Sequence, residues 1–309
     1  NMLRCFGIDD ELVKIHLYSD QAEYSLSDRY RYSVARKKYL NFNDPKRFDS
    51  VVYQHTASSY RDVASGAIRS YINVSTSSYY HGITFTAEAI LPKKRSRQSE
   101  QYFDTPFTTS SIFGVHTALT NEANKTWAST DYCGFNITAV RPSTDSLDCY
   151  FAVTGSGTGS VVPLMTSSIY KNVYEDQKWN LAVRVKPSAW PYADGVSGSA
   201  TNSFVIELVG FNAVLDVVKN KFAVSATLTQ AQGQNFMNSP MRVFVGAHRN
   251  NFTGTVIDKT DLKISSMRVW LDYVNDETLM KHAIDATSYG RERPYENAYM
   301  TDLNSRFGQ

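Results

Sequence analysis

Two carboxylates set two residues apart on a strand project into one cleft, where one attacks and the other protonates, as in a Glu-x-Asp-x-x-Glu run. The chain holds no such run. Glu88 and Glu207 each lack an acidic neighbour two residues away, and Asp9-Asp10-Glu11 and Asp276-Glu277 fall outside the expected strands. Polysaccharide elimination needs Arg, Gln or His, and Tyr clustered on facing strands. His81, His116 and His248 are candidates. None stands in a recognisable motif, so each is read as a structural or surface histidine. Acyl transfer by a serine wants a nucleophile elbow at a strand–helix junction. Gly155-Ser156-Gly157-Thr158-Gly159 stands in a turn context instead and is read as a linker. It also lacks the Gly-Lys-Ser/Thr of a phosphate loop. Cys5, Cys133 and Cys149 lack zinc-ligand spacing. With no catalytic set, the chain is expected not to be an enzyme.

Sugar recognition asks less: an exposed aromatic for stacking, beside polar groups that bond the hydroxyls. Trp190 and Tyr192 in the polar stretch 188–203 fit best, with Asp194 and Asn202 as polar partners. The competing reading has Trp190 packing its loop onto the domain or filling a partner's pocket. Trp179 and Trp270 lie on expected strands and are assigned to the core. The basic segments Arg29–Lys38 and Lys93–Arg97 are short and the net charge is only +2, so nucleic acid is not an expected partner. No run of about 18 apolar residues occurs, so no membrane partner is expected. Three Cys are too few for a disulfide scaffold, and Cys133 and Cys149 are not expected to face each other. The chain starts at Asn1 without a signal segment, which reads as an expressed segment or a piece of a longer polypeptide in preference to a processed product.

The elements that would carry these residues are strands. Aromatic content is 13% in a chain of 309 residues rich in Ser and Thr, which favours sheet over helix. Ile83–Leu91 alternates, with Phe85, Ala87, Ala89 and Leu91 on one face. Asp176–Lys186 does the same with Trp179, Leu181, Val183 and Val185, and Pro187 closes it. Ser50–Tyr53, Ser111–Val115, Tyr132–Val140, Asp148–Val153, Phe204–Val209 and Phe222–Leu228 read as further strands. Met241, Val243 and Val245 alternate with Arg242, Phe244 and Gly246. After a turn at Asn250–Gly254, Met267, Val269 and Leu271 share one face of another strand. A helix then starts, with Asn275 as its N-cap and Asp276 and Glu277 in its first turn. Residues 1–40 read as an N-terminal arm, 41–285 as the β domain, and 286–309 as an extended tail.

Order and spacing at the end of the domain carry a resemblance. Gly246, Phe252, Gly254, Arg268 and Trp270 stand where the laminin-G/pentraxin-like branch of concanavalin A-like domains has its Gly, Phe-x-Gly and x-Arg-x-Trp. Glu88 and Trp179 match two earlier strands of that pattern, with Ile90 and Asn180 where Trp and His are common. The resemblance implies an all-β jelly-roll sandwich of two antiparallel sheets with N- and C-terminal extensions. Such a fold carries lectins, hydrolases and spacers alike. It implies no cofactor, with calcium at a rim loop as an option, at Tyr192–Gly195, 124–131 or 250–253. The segment Trp270–Tyr299 also resembles the flanks of such domains in bacteriophage virion polypeptides. Two function classes stand open: a structural module of a virion, contacting other virion proteins and surface glycan, and a secreted lectin-like carbohydrate-binding protein.

Overall fold

Apolar residues at every second position can be buried only against a second set like themselves, and the chain builds two stacked sheets. The computed structural model describes residues 38–54, 82–93, 105–117, 130–189, 203–214, 217–250 and 254–284. The first sheet runs β1 (Leu40–Asn41), β14 (Lys263–Trp270), β3 (Ile83–Leu91), β8 (Gln177–Pro187), β9 (Phe204–Val214) and β10 (Val217–Leu228). The second runs β2 (Val51–Tyr53), β11 (Met241–Gly246), β4 (Thr109–Thr117), β5 (Phe135–Val140), β6 (Tyr150–Gly155) and β7 (Met165–Thr166). A ribbon pairs β12 (His248–Arg249) with β13 (Val256–Asp258). Every described pairing is antiparallel. This is the expected jelly-roll sandwich.

The core is the sum of the inward faces. Phe85, Ala87, Ala89 and Leu91 of β3 and Trp179, Leu181, Val183 and Val185 of β8 meet Phe113, Val115, Phe135, Ile137, Met241, Val243 and Val245 from the second sheet. Phe85 meets Phe135 edge to face at 5.4 Å, and Trp179 packs on Phe151 at 4.9 Å. Each such ring contributes about 2 kcal/mol by leaving water. Trp179 and Trp270 are both buried, as expected. Cys133 and Cys149 are buried free thiols. Gly246 has φ +103°, and a Cβ there would lie 2.7 Å from the Ser50 carbonyl oxygen. That close approach explains the glycine in the sequence pattern.

Two short helices complete the described chain, α1 (Gln230–Asn238) and α2 (Asp276–Ile284). Asn275 caps α2, its Oδ1 accepting the Thr278 amide at 2.8 Å. Leu279 and Ala283 bury against Ala182, Val209, Phe211 and Trp270 on the outer face of the first sheet. Arg184 fastens the helix start, donating to Val274 O at 2.8 Å and to the carboxylates of Glu207 and Asp276. Below α2 lies a small cavity lined in part by Glu88, Asn180, Ser266, Arg268 and His282. His282 stacks on Trp270 at 5.5 Å. Burial, with the Arg268 charge beside it, pushes its pKa down to about 4.

Three sequence readings change. Leu271 does not share the inward face of Met267 and Val269: β14 ends at Trp270, and Leu271 is exposed. A bulge between Ser265 and Arg268, with Ser266 at φ +53°, resets that strand's alternation. Helix α1 was not expected. The 154–160 run is no linker: Thr154 and Gly155 belong to β6, Ser156 is buried, and Thr158 O accepts the Asp131 amide at 2.9 Å. Residues 1–37 of the N-terminal arm and the whole tail 286–309 lie outside the described residues.

Candidate functional site

The outer face of the second sheet gathers chemistry that no sequence window displays. Register alone does it. Tyr53 pairs with Phe244, Phe244 with Gly114, Gly114 with Asn136 and Asn136 with Thr154, one row across five strands. Beside that row, Arg242 is the cross-strand partner of His116. All of these residues alternate with core positions, so they share the face turned away from the core. Gly114 makes the row passable. A Cβ there would meet the Phe135 carbonyl at 2.2 Å and the Phe244 ring at 2.5 Å, so only glycine lets that ring cross β4.

Aromatic stacking then orders two histidines. His116 lies on Phe244 at 5.2 Å and on His248 at 5.3 Å, and Phe244 lies on His248 at 5.4 Å, all near parallel. Each histidine has a carboxylate at Nδ1. Asp131 Oδ2 stands 2.7 Å from His116, and Asp258 Oδ2 stands 3.4 Å from His248. Asp131 is itself fixed, its Oδ1 accepting the Thr117 amide at 2.7 Å. Asn136 joins the second pair, donating to Asp258 at 3.1 Å while accepting from Ser111 Oγ at 2.9 Å. Burial lowers the pKa of His116 more than Asp131 raises it, so the ring is neutral at neutral pH. A neutral ring that donates from Nδ1 to Asp131 leaves Nε2 as the acceptor.

The edge of this face is cationic. The Arg242 guanidinium lies 5.7 Å from the centre of the Tyr53 ring, and its Nε donates to Gln54 O at 3.0 Å. Arg249 donates to Gly254 O at 2.9 Å and Asp49 O at 2.6 Å. Burial pushes the Tyr53 phenol up, against the pull of Arg249 and Arg242. His116, Asp131, Asn136 and Arg242 are buried, whereas Tyr53, Arg249 and Asp258 are half-buried. Among the described residues the more exposed side of the face is therefore that of β2 and β13.

The residues singled out from sequence for sugar contact, Trp190, Tyr192, Asp194 and Asn202, lie outside the described residues. So do His81 and most of the proposed calcium loops. The structure instead brings together His116 and His248, which sequence alone assigned to structural or surface roles. Asn136 is buried, with its amide donating to Asp258 and accepting from Ser111. Glu88 and Glu207 do not form a catalytic pair. Glu88 accepts from the Tyr39 hydroxyl and faces Lys178, and Glu207 is held by Arg184, Lys186 and Tyr273. Among the described residues no cluster of three metal-ligating side chains occurs.

No family model matches the chain, and no curated protein matches it. Among solved structures the chain is similar to an alginate lyase from Pseudomonas aeruginosa, with 8% identity over 75% of this chain and 80% of that one, at a TM-score of 0.36. It is similar to a Ruminococcus gnavus IT-sialidase CBM40, with 11% identity, 68% and 86% coverage and a TM-score of 0.30. A family 7 alginate lyase in complex with product gives 11% identity, 77% and 74% coverage and a TM-score of 0.31. These are jelly-roll sandwiches of the concanavalin A-like kind. The likeness concerns the fold alone. The expectation that the chain is no enzyme is corrected to this extent: alginate lyases are among the structures it is similar to.

Proposed function

We propose that the outer face of the second sheet binds an acidic polysaccharide. The observation that supports this reading is Tyr53, an aromatic at the reachable edge of the face, close to the guanidiniums of Arg242 and Arg249. A sugar ring stacks on the phenol while a uronate carboxylate meets the cations. The same cluster has the parts for β-elimination. A guanidinium neutralises the carboxylate, and neutral His116, oriented by Asp131, takes the proton from the carbon beside it. Tyr53 gives a proton to the oxygen that leaves. Because His116 is buried, the polymer end must enter from the β2 side to reach it.

The test is isothermal titration with a polyuronate such as alginate and with a neutral glucan, together with ultraviolet detection of unsaturated sugar ends. The polyuronate should bind, the neutral glucan should not, and Tyr53→Ala should weaken binding at least tenfold. Equal binding of both polymers, or unchanged binding by Tyr53→Ala, refutes the site. Binding without unsaturated ends leaves recognition standing and removes the elimination step.

A second reading, a place within a multi-chain particle beside other virion proteins, has its support in the sequence resemblance at Trp270–Tyr299 and in the long edge strand β10, which among the described residues pairs only with β9. Determining the mass of the native assembly tests it, and a monomer free in solution would end it.

A further inference from the structure

Four strands form the edges of the two sheets, and three of them are short. β1 and β7 have 2 residues each and β2 has 3. The fourth, β10, has 12. Natural sheets blunt their edges because a row of open N–H and C=O groups is a template for another strand. Among the described residues three edges are short and no strand pairs with the outer edge of the longest one. β10 pairs with β9 along its length. Among the described residues, the one hydrogen bond reaching it from elsewhere is from the Tyr170 hydroxyl to Lys221 O at 3.4 Å. That bond marks Lys221 as a residue whose backbone groups point outward. From Asn220 to Leu228 the pairing with β9 is regular, so Ala223, Ser225 and Thr227 point their backbone groups outward too.

The side chains fit a particular occupant. Lys219 and Lys221 stand at one end, and Phe222–Leu228 carries no charge. Phe222, Val224 and Ala226 pack on the core yet are only partly buried. Ala223, Ser225 and Thr227 are exposed small residues that leave a neighbouring strand room to approach.

We propose that β10 pairs antiparallel with β10 of a second copy of this chain, about a two-fold axis at Val224. That register sets Val224 against its own copy, Phe222 against Ala226, Ala223 against Ser225, and Lys221 against Thr227. The whole regular stretch is used, and no lysine faces another lysine. Roughly eight backbone hydrogen bonds form, and the first sheets of the two copies become one. The Lys221 carbonyl has a second lone pair, so the Tyr170 bond and the new pairing coexist. Two-fold closure ends the assembly at two copies along this edge.

Charge placed at Thr227 tests both the partner and the register, because that side chain faces solvent in one copy and Lys221 in the pair. Analytical ultracentrifugation of the full chain should show a dimer. Thr227→Glu should tighten the dimer at least tenfold in Kd, and Thr227→Lys should loosen it at least tenfold. Circular dichroism should be unchanged in both. A monomer throughout the micromolar range overturns the proposal. So does a dimer whose Kd moves the same way, or not at all, in the two variants. If one variant fails to fold, Ser225→Lys with Ala223→Glu, which face each other, should restore the dimer that Ser225→Lys alone loses. Failure of that rescue also overturns it.

Discussion

Lowering the pH should loosen α2, and His282 sets how much. The imidazole is 6% exposed, lies on Trp270, and no described protein group bonds either ring nitrogen. The charges around it are Arg268 on β14, Glu88 on β3, and Lys178 on β8, whose Nζ donates to Ala283 O at 3.2 Å. Burial holds its pKa near 4 against 6.5 for a free histidine. The folded state therefore resists a proton that the unfolded chain accepts. Stability is full above pH 6.5 and falls as the pH drops toward 4, because the unfolded state binds more protons throughout that window. Between pH 7 and pH 5 the loss from this one group is about 2 kcal/mol. His282→Phe keeps the stack on Trp270 and removes the titration. Urea unfolding at the two pH values should show the wild type losing about 2 kcal/mol more than the variant, since His116 and the carboxylates act equally in both. Equal losses in the two proteins would show that His282 is already solvated or bonded in the folded state, and the account of α2 would fail.

Three further outcomes follow from geometry already described. Gly114→Ala forces a Cβ to within 2.2 Å of the Phe135 carbonyl and should cost roughly 2–3 kcal/mol in urea titration, with a change in near-ultraviolet dichroism as Phe244 shifts. Arg184→Met strips the buried partner from Glu207 and Asp276 and should destabilise by about 3 kcal/mol; a loss under about 1 kcal/mol would mean Lys186 and Tyr273 hold Glu207 unaided. Burial raises the pKa of the Cys133 thiol far above its ordinary value, so iodoacetamide should leave it untouched in the native protein and label it in urea. Rapid native labelling would contradict its burial.

The strands were legible in the sequence because burial on one face writes itself as alternation. Phe85 to Leu91, Trp179 to Val185 and Met241 to Val245 all face inward as the pattern requires. The N-cap at Asn275 was legible for the same local reason. Helix α1 had a local signal too: Thr229 and Gln232 form a reciprocal capping box. It was missed because its polar sequence, QAQGQNFMN, carries so little apolar periodicity. The site on the second sheet had no local signal. Tyr53, His116, Asn136 and Arg242 are at least 20 residues apart, and each looks like an ordinary polar member of an alternating strand. What joins them is register, and one residue of slip in β4 would turn His116 into the core. The turn at 154–160 was misread because Gly and Ser suggest looseness, whereas here Thr158 O holds Asp131 in place beneath His116.

The strand order has a consequence in time. β3 sits between β14 and β8, and β4 between β11 and β5. Each therefore keeps one edge open until the last strands of the domain exist. β14 begins roughly 170 residues after β3 ends, which at cellular rates is about ten to thirty seconds of synthesis. Through that interval the nascent chain carries apolar strands without their partners. The sandwich must then close in one late step, when β11 and β14 each slot into place. A ribosome stalled before Met241 would hold a chain that has most of its core residues and no means of enclosing them.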